Sequence, residues 1–285
     1  MWNVALDTPP LVSDLEARAK LHRVKTRMGT VAWREFGSGP PLVLLHGGHG
    51  SWLHWVKNIE ALAVRHRVLL PDLPGYGDSD GPVAAALDSL VLQLSLSLDA
   101  LIAPGDLVSL AGFSFGGLVA ADLAVARRDV ERLLVLGPAG HGGKRRPRGD
   151  LRNWKPAAAS GDMALLEEVM RHNLLAHMLH SPDAVDQLAL FVHTQSCVMT
   201  RFRSKDISRS AVLPALLASF TGPVFAAWGE HDVTAEPRAA ILSLALPRAN
   251  PASPTSQVIR DAGHWVQFEA SGFVNDILLN WTRER

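Results

Sequence analysis

Short, almost wholly apolar runs recur along this chain, each followed by a stretch with helical spacing, and that alternation leaves few folds open. Val31–Phe36 and Pro41–His46 read as strands, the second fully buried. Trp52–Val64 follows, with Trp52, Trp55, Val56, Ile59, Leu62 and Ala63 on one helical face. Further strands are expected at Arg67–Pro71, Asp106–Ala111, Arg132–Leu136, Pro223–Gly229 and near Ser256–Arg260. Helices are expected at Leu87–Ile102, from Phe115 to about Arg127, near Glu236–Leu246 and at Ser271–Arg285. Apolar strands alternating with helices imply a parallel sheet covered on both faces. The pattern stops after Gly137. Residues 141–213 offer no buried strand, only a Gly/Arg loop and helical stretches such as Asp162–His180 and Pro182–Val198. The class is therefore α/β with a helical insertion.

A chain of 285 residues fits one domain or two, and its formal net charge is zero. That balance argues against a nucleic-acid or anionic-membrane partner. The one dense basic run, Lys144 to Arg148, contains Pro147 and reads as a solvated loop. Arg201, Arg203, Lys205 and Arg209 read as a solvated face in preference to a carboxylate clamp. Cys197 is the single cysteine, so no intrachain disulfide can form. The first 20 residues lack a basic stretch followed by an apolar one, and no signal peptide is expected. Residues 36–56 and 210–229 are free of charge but broken by Gly and Pro, which suits loops joined to buried strands better than membrane spans. A soluble, cytoplasmic protein is the expectation.

Gly112-Phe113-Ser114-Phe115-Gly116 follows a buried strand and opens a helix rich in small residues. A sharp strand-to-helix turn of this kind can expose a strained nucleophilic serine. Serine needs a base, and the base needs an orienting carboxylate. Among 12 histidines, His264 stands just after the last expected strand, and Asp232 just after Pro223–Gly229. Both lie on the sheet's carboxyl edge, where open α/β sheets bind ligands. Glu230 is a rival acid two residues early, and Asp261 is too close in sequence to reach behind His264. Gly48 and Phe115 N–H are the expected oxyanion donors, with His49 N–H a third candidate and His46 a loop-holding residue. His172, His177 and His180 lack a carboxylate to complete a metal set, so neither metal nor cofactor is expected.

Taken together, HGG (46–48), LPDLPGYGDSD (70–80), GFSFGG (112–117), GEHD (229–232) and GHW (263–265) resemble the α/β-hydrolase superfamily over nearly the whole chain. The resemblance implies an eight-stranded, mostly parallel sheet flanked by helices, with Ser114 as nucleophile, His264 as base and Asp232 as acid. It also implies a helical cap over the site. Residues 1–140 and 214–285 would form one discontinuous core, and 141–213 the cap. Serine at position 114 is unlike the aspartate of haloalkane dehalogenases and epoxide hydrolases. GPAGHGG (137–143) and GHWVQFEA (263–270) look most like meta-cleavage-product C–C hydrolases, which carry Trp where this chain has Trp265. Phe113 stands where those enzymes usually have Asn, and no Arg falls at their cap position. Phe113 and Trp265 are the expected substrate contacts. The expected activity is hydrolysis of an ester or related acyl bond in a small, largely apolar molecule. C–C cleavage of a ring-fission product is the alternative, and a ligand receptor on a hydrolase fold is the alternative from another class. A small molecule is the expected partner, and a homodimer is compatible with it.

Overall fold

The computed structural model describes residues 4, 6–244, 246 and 255–283. Eight strands form one sheet: β1 (Lys20–Thr26), β2 (Gly29–Phe36), β3 (Pro41–Leu45), β4 (Arg67–Pro71), β5 (Val108–Phe113), β6 (Val130–Leu136), β7 (Val224–Gly229) and β8 (Ser256–Ile259). Their spatial order is β1-β2-β4-β3-β5-β6-β7-β8. β2 pairs antiparallel with β1 and β4, and every pair from β4 to β8 is parallel. The chain places β4 on one side of β3 and β5 on the other. The sheet therefore reverses its winding beside the carboxyl ends of β3 and β5, where a crevice opens.

Alternation along the strands fills two cores. Leu42, Leu44, Phe113, Leu134, Leu136 and Phe225 pack on one face, and Val43, Leu45, Leu110, Leu133, Val135 and Trp228 on the other. Both faces are covered because every second side chain points the opposite way and nearly all are apolar.

Several elements differ from the sequence expectations. β1 had no apolar signature: in KLHRVKT, Lys20, Leu21, Arg23 and Lys25 are exposed and His22, Val24 and Thr26 half-buried, as suits a charged edge strand. The expected helix Trp52–Val64 breaks into a 3-10 turn, Trp52–Trp55, and a short helix, Ile59–Ala63. All four residues of the turn are buried, so no solvent face exists for a single amphipathic helix. The Ser51 hydroxyl and the Asp72 carboxylate cap the turn by accepting the N–H of Leu53 and Trp52. The final helix ends at Trp281, and residues 284–285 of its expected span lie outside those described.

Between β6 and β7 the described chain is helix and loop, including Met163–His177, Gln187–Val198 and Leu213–Ser219. Its two ends meet at Gly140, whose N–H donates to the Ser208 carbonyl at 3.1 Å and whose carbonyl accepts from Leu213 N–H at 3.0 Å. No helix among the described residues is long and apolar enough to cross a membrane.

Candidate active site

β5 ends at Phe113 and a helix, Phe115–Ala126, starts at Phe115, so Ser114 alone makes the turn. Its backbone sits at φ 53°, ψ −117°, a conformation that costs a non-glycine residue of order 1–3 kcal/mol. Neighbouring bonds hold it there. Ser114 N–H donates to Leu136 O at 2.9 Å, and Ser114 O accepts from Gly117 and Ala139. The flanking glycines permit the close approach: a Cβ on Gly112 would lie 2.3 Å from Gly116 O, and one on Gly116 equally near His46 O.

The loops after β7 and β8 bring the other two side chains to this turn. Ser114 Oγ lies 2.9 Å from His264 Nε2, and His264 Nδ1 lies 2.8 Å from Asp232 Oδ2. Asp232 is fully buried and His264 nearly so. A buried carboxylate accepts, so Nδ1 carries the proton and Nε2 presents its lone pair to the serine hydroxyl. Burial alone would raise the Asp232 carboxyl. The charge and hydrogen bond of His264 and two bonds from Thr234 outweigh it and hold the carboxyl below its ordinary range. Thr234 N–H and Oγ1 each donate to Asp232 Oδ1 at 2.7 Å. Gly137 packs against the pair from below: at φ +47°, its Cβ would lie 2.9 Å from Asp232 Oδ2.

The loop after β3 is gripped by two buried histidines. Leu73 N–H donates to His46 Nε2 at 2.9 Å, which leaves Nδ1–H to donate to the Gly47 carbonyl at 2.8 Å. Gly47 N–H in turn donates to His54 Nδ1 at 3.2 Å. A trans peptide points its C=O and N–H in opposite directions. Fixing the Gly47 carbonyl therefore turns the Gly48 N–H away from His46. Gly48, His49 and Phe115 all line the cavity above Ser114. No hydrogen bond among the described residues occupies the Gly48 or Phe115 N–H.

That cavity is about 530 Å³ and reaches from Ser114 to the segment between β6 and β7. Phe113 lines it, with its ring 4.9 Å from that of His264. Trp265 does not, and the expectation for it is corrected. Its indole N–H donates to the His54 carbonyl at 2.9 Å and its ring stacks on Phe268, which turns it into the core. The basic residues are solvated, as expected, and also stand near the site. Arg145, Arg148, Lys205 and Arg209 are exposed and line the cavity. The run 144–148 is drawn in because Arg146 pairs with Glu236 at 2.7 Å and Lys144 O accepts from Glu236 N–H.

The rival acid Glu230 faces His231 and the Asp261 N–H, not His264. His172, His177 and His180 diverge: His172 bonds Asp150 O, His177 lies beside the His264 ring, and His180 stacks on His231. Among the described residues, Glu230, His231 and Asp261 bring ligand atoms within 4.8 Å of one another, outside the cavity. Sequence reading missed Thr234 and Gly137. The Asp-x-Thr spacing of residues 232–234, which favours a local side-chain turn, was the available signal for the first.

A model of the alpha/beta hydrolase family matches residues 42–277. The chain is 31% identical over 272 residues to the dihydrolipoyllysine-residue acetyltransferase component of the acetoin cleaving system of Pseudomonas putida, covering 88% of this chain and 66% of that protein. It is 40% identical over 97 residues to the pimeloyl-[acyl-carrier protein] methyl ester esterase of Aeromonas hydrophila, covering 34% of this chain. That match spans only 37% of the esterase's own length. Among solved structures, the esterase RhEst1 from Rhodococcus sp. ECU1013 has a TM-score of 0.73 at 21% identity, covering 93% of this chain and 98% of that one.

Proposed function

Because this chain belongs to the alpha/beta hydrolase family, we propose that it is a serine hydrolase that cleaves an ester of a small molecule through an acyl-enzyme. The observation that carries this reading is the unbroken relay from Ser114 through His264 to Asp232, at 2.9 and 2.8 Å. As Ser114 Oγ bonds to the carbonyl carbon, its proton passes to His264 Nε2. The leaving alcohol takes that proton as its C–O bond breaks. Water then gives a proton to His264 and attacks the acyl-enzyme, which releases the acid and restores Ser114. Asp232 holds the imidazole in the required tautomer and offsets the charge it gains. The Gly48 and Phe115 amides receive the oxyanion at both steps, and removing one such donor typically costs 10²–10³ in rate. Residues 141–213 act as the cap that shapes the pocket.

The test is Ser114→Ala, with turnover of p-nitrophenyl esters and labelling by a fluorophosphonate as readouts. Hydrolysis should fall by roughly 10⁴-fold or more and labelling should vanish, with an unchanged circular dichroism spectrum. Retained activity above about 1% would overturn the assignment.

A further inference from the structure

The cavity over Ser114 is unevenly charged. Its buried lining includes Phe113, Phe115, Pro138, Ala139 and Met178, while its exposed lining carries Arg145, Arg148, Arg152, Lys205 and Arg209. No aspartate or glutamate lines it. Arg152 is paired with Glu168, and two arginines of the same segment outside the lining are paired as well, Arg146 with Glu236 and Arg171 with Glu167. Among the described residues, no carboxylate lies within 4.0 Å of Arg145, Arg148, Lys205 or Arg209. A second hollow of about 220 Å³ is lined by Gly142 and Gly143, and it shares His141, Arg145, Ser208 and Arg209 with the first.

The two arginines have fixed supports. Arg145 follows Lys144, whose carbonyl is tied to Glu236, and precedes Arg146, which is tied to the same residue. Arg209 ends the turn Lys205–Ser208, whose last carbonyl accepts from Gly140 at the base of the segment. Partial desolvation, and then the like charges of Arg209 and Arg148, disfavour the cation of Arg145, although its side chain still reaches solvent. Asp232 attracts Arg145 from a distance, but it is sealed behind His264 and Thr234. An oxyanion between the guanidinium groups would relieve this repulsion through charge-assisted hydrogen bonds.

We propose that Arg145 and Arg209 form an anion subsite, and that the substrate carries an ionised carboxylate or phosphate besides its scissile ester. The inference rests on the esterase reading above and narrows it: the substrate is a small anionic ester, not a wholly apolar one.

Two measurements on the full chain test it. The first compares kcat/KM for mono-p-nitrophenyl esters of succinate, glutarate and adipate with their neutral methyl p-nitrophenyl diesters. At about 10 mM ionic strength, at least one hemiester should exceed its neutral partner by about tenfold, and the ratio should shrink towards one at about 0.5 M NaCl. Arg145→Gln/Arg209→Gln should bring that ratio within about twofold of one. A wild-type ratio of one or less for all three acids overturns the proposal, as does a preference that survives in the double variant. The second measurement is the thermal midpoint with glutarate or inorganic phosphate. The better stabiliser of the wild type identifies the anion, and the double variant should lose the shift. If no ester is turned over, the esterase reading fails, and the anion subsite then stands or falls on this shift alone.

Discussion

Asp232 accepts three hydrogen bonds, and two of them come from Thr234. The hydroxyl of Thr234 also lies 3.2 Å from His264 Nδ1, so this side chain braces both members of the acid–base pair. Thr234→Val keeps the shape and the backbone bond but removes the hydroxyl. A bond to a charged group is worth about 1.5–3 kcal/mol. The expected outcome is a fall in kcat of roughly tenfold or more with KM little changed, measured on any ester the wild type accepts. The residues that the sequence singled out share one property: each of Ser114, Asp232 and His264 follows a strand. A reactive side chain at a strand end is visible in one dimension, and the structure does bring these three together. Thr234 and Gly137 are not visible that way, since each acts by touching a residue that folding delivers. Trp265 misled for the opposite reason. Its place beside His264 in the chain says nothing about which way the ring turns, and the buried indole N–H decides that.

At the level of elements, the loop after β6 lies against Asp232 and His264 through Gly137. Gly137 takes a left-handed conformation directly beneath the acid–base pair. Gly137→Ala would add backbone strain of about 1–3 kcal/mol and a methyl group against Asp232 and His264. It should therefore lower the thermal midpoint by several degrees and kcat by tenfold or more, as read by calorimetry and by initial rates. An unchanged kcat would show that the loop does not set the geometry. The parallel strands were legible because burial on both faces leaves almost no polar residue in them. β1 was not, because an edge strand is half solvated and its charged residues hide the period. The turn Trp52–Trp55 was misread because complete burial removes the polar face that distinguishes a helix from an irregular packed segment.

For the whole molecule, a zero net charge conceals strong local differences. Composition averages over the surface, whereas Arg145 and Arg209 come to line one cavity only after residues 141–213 have packed, so the cavity's charge could not be read from the chain. Buried histidines are the second global feature. Burial, against the pull of Asp72, takes His46 down to about 4, and burial with the charge of His49 takes His193 to about 4. As pH falls below the ordinary value of 6.5, the unfolded chain takes up these protons before the folded one does. Stability is thus full above about pH 6.5 and is lost between there and about pH 4, by up to about 3 kcal/mol for each residue. Urea midpoints should fall steeply over that window, and His193→Gln should flatten the fall; a flat wild-type profile would refute the assignment. One feature reaches beyond this molecule. Gly140 bonds both Ser208 and Leu213, so the segment that walls the cavity enters and leaves the sheet through a single neck. Natural selection can therefore lengthen, shorten or exchange that segment as one graft, inventing new specificities while the inherited machinery beneath it stays untouched.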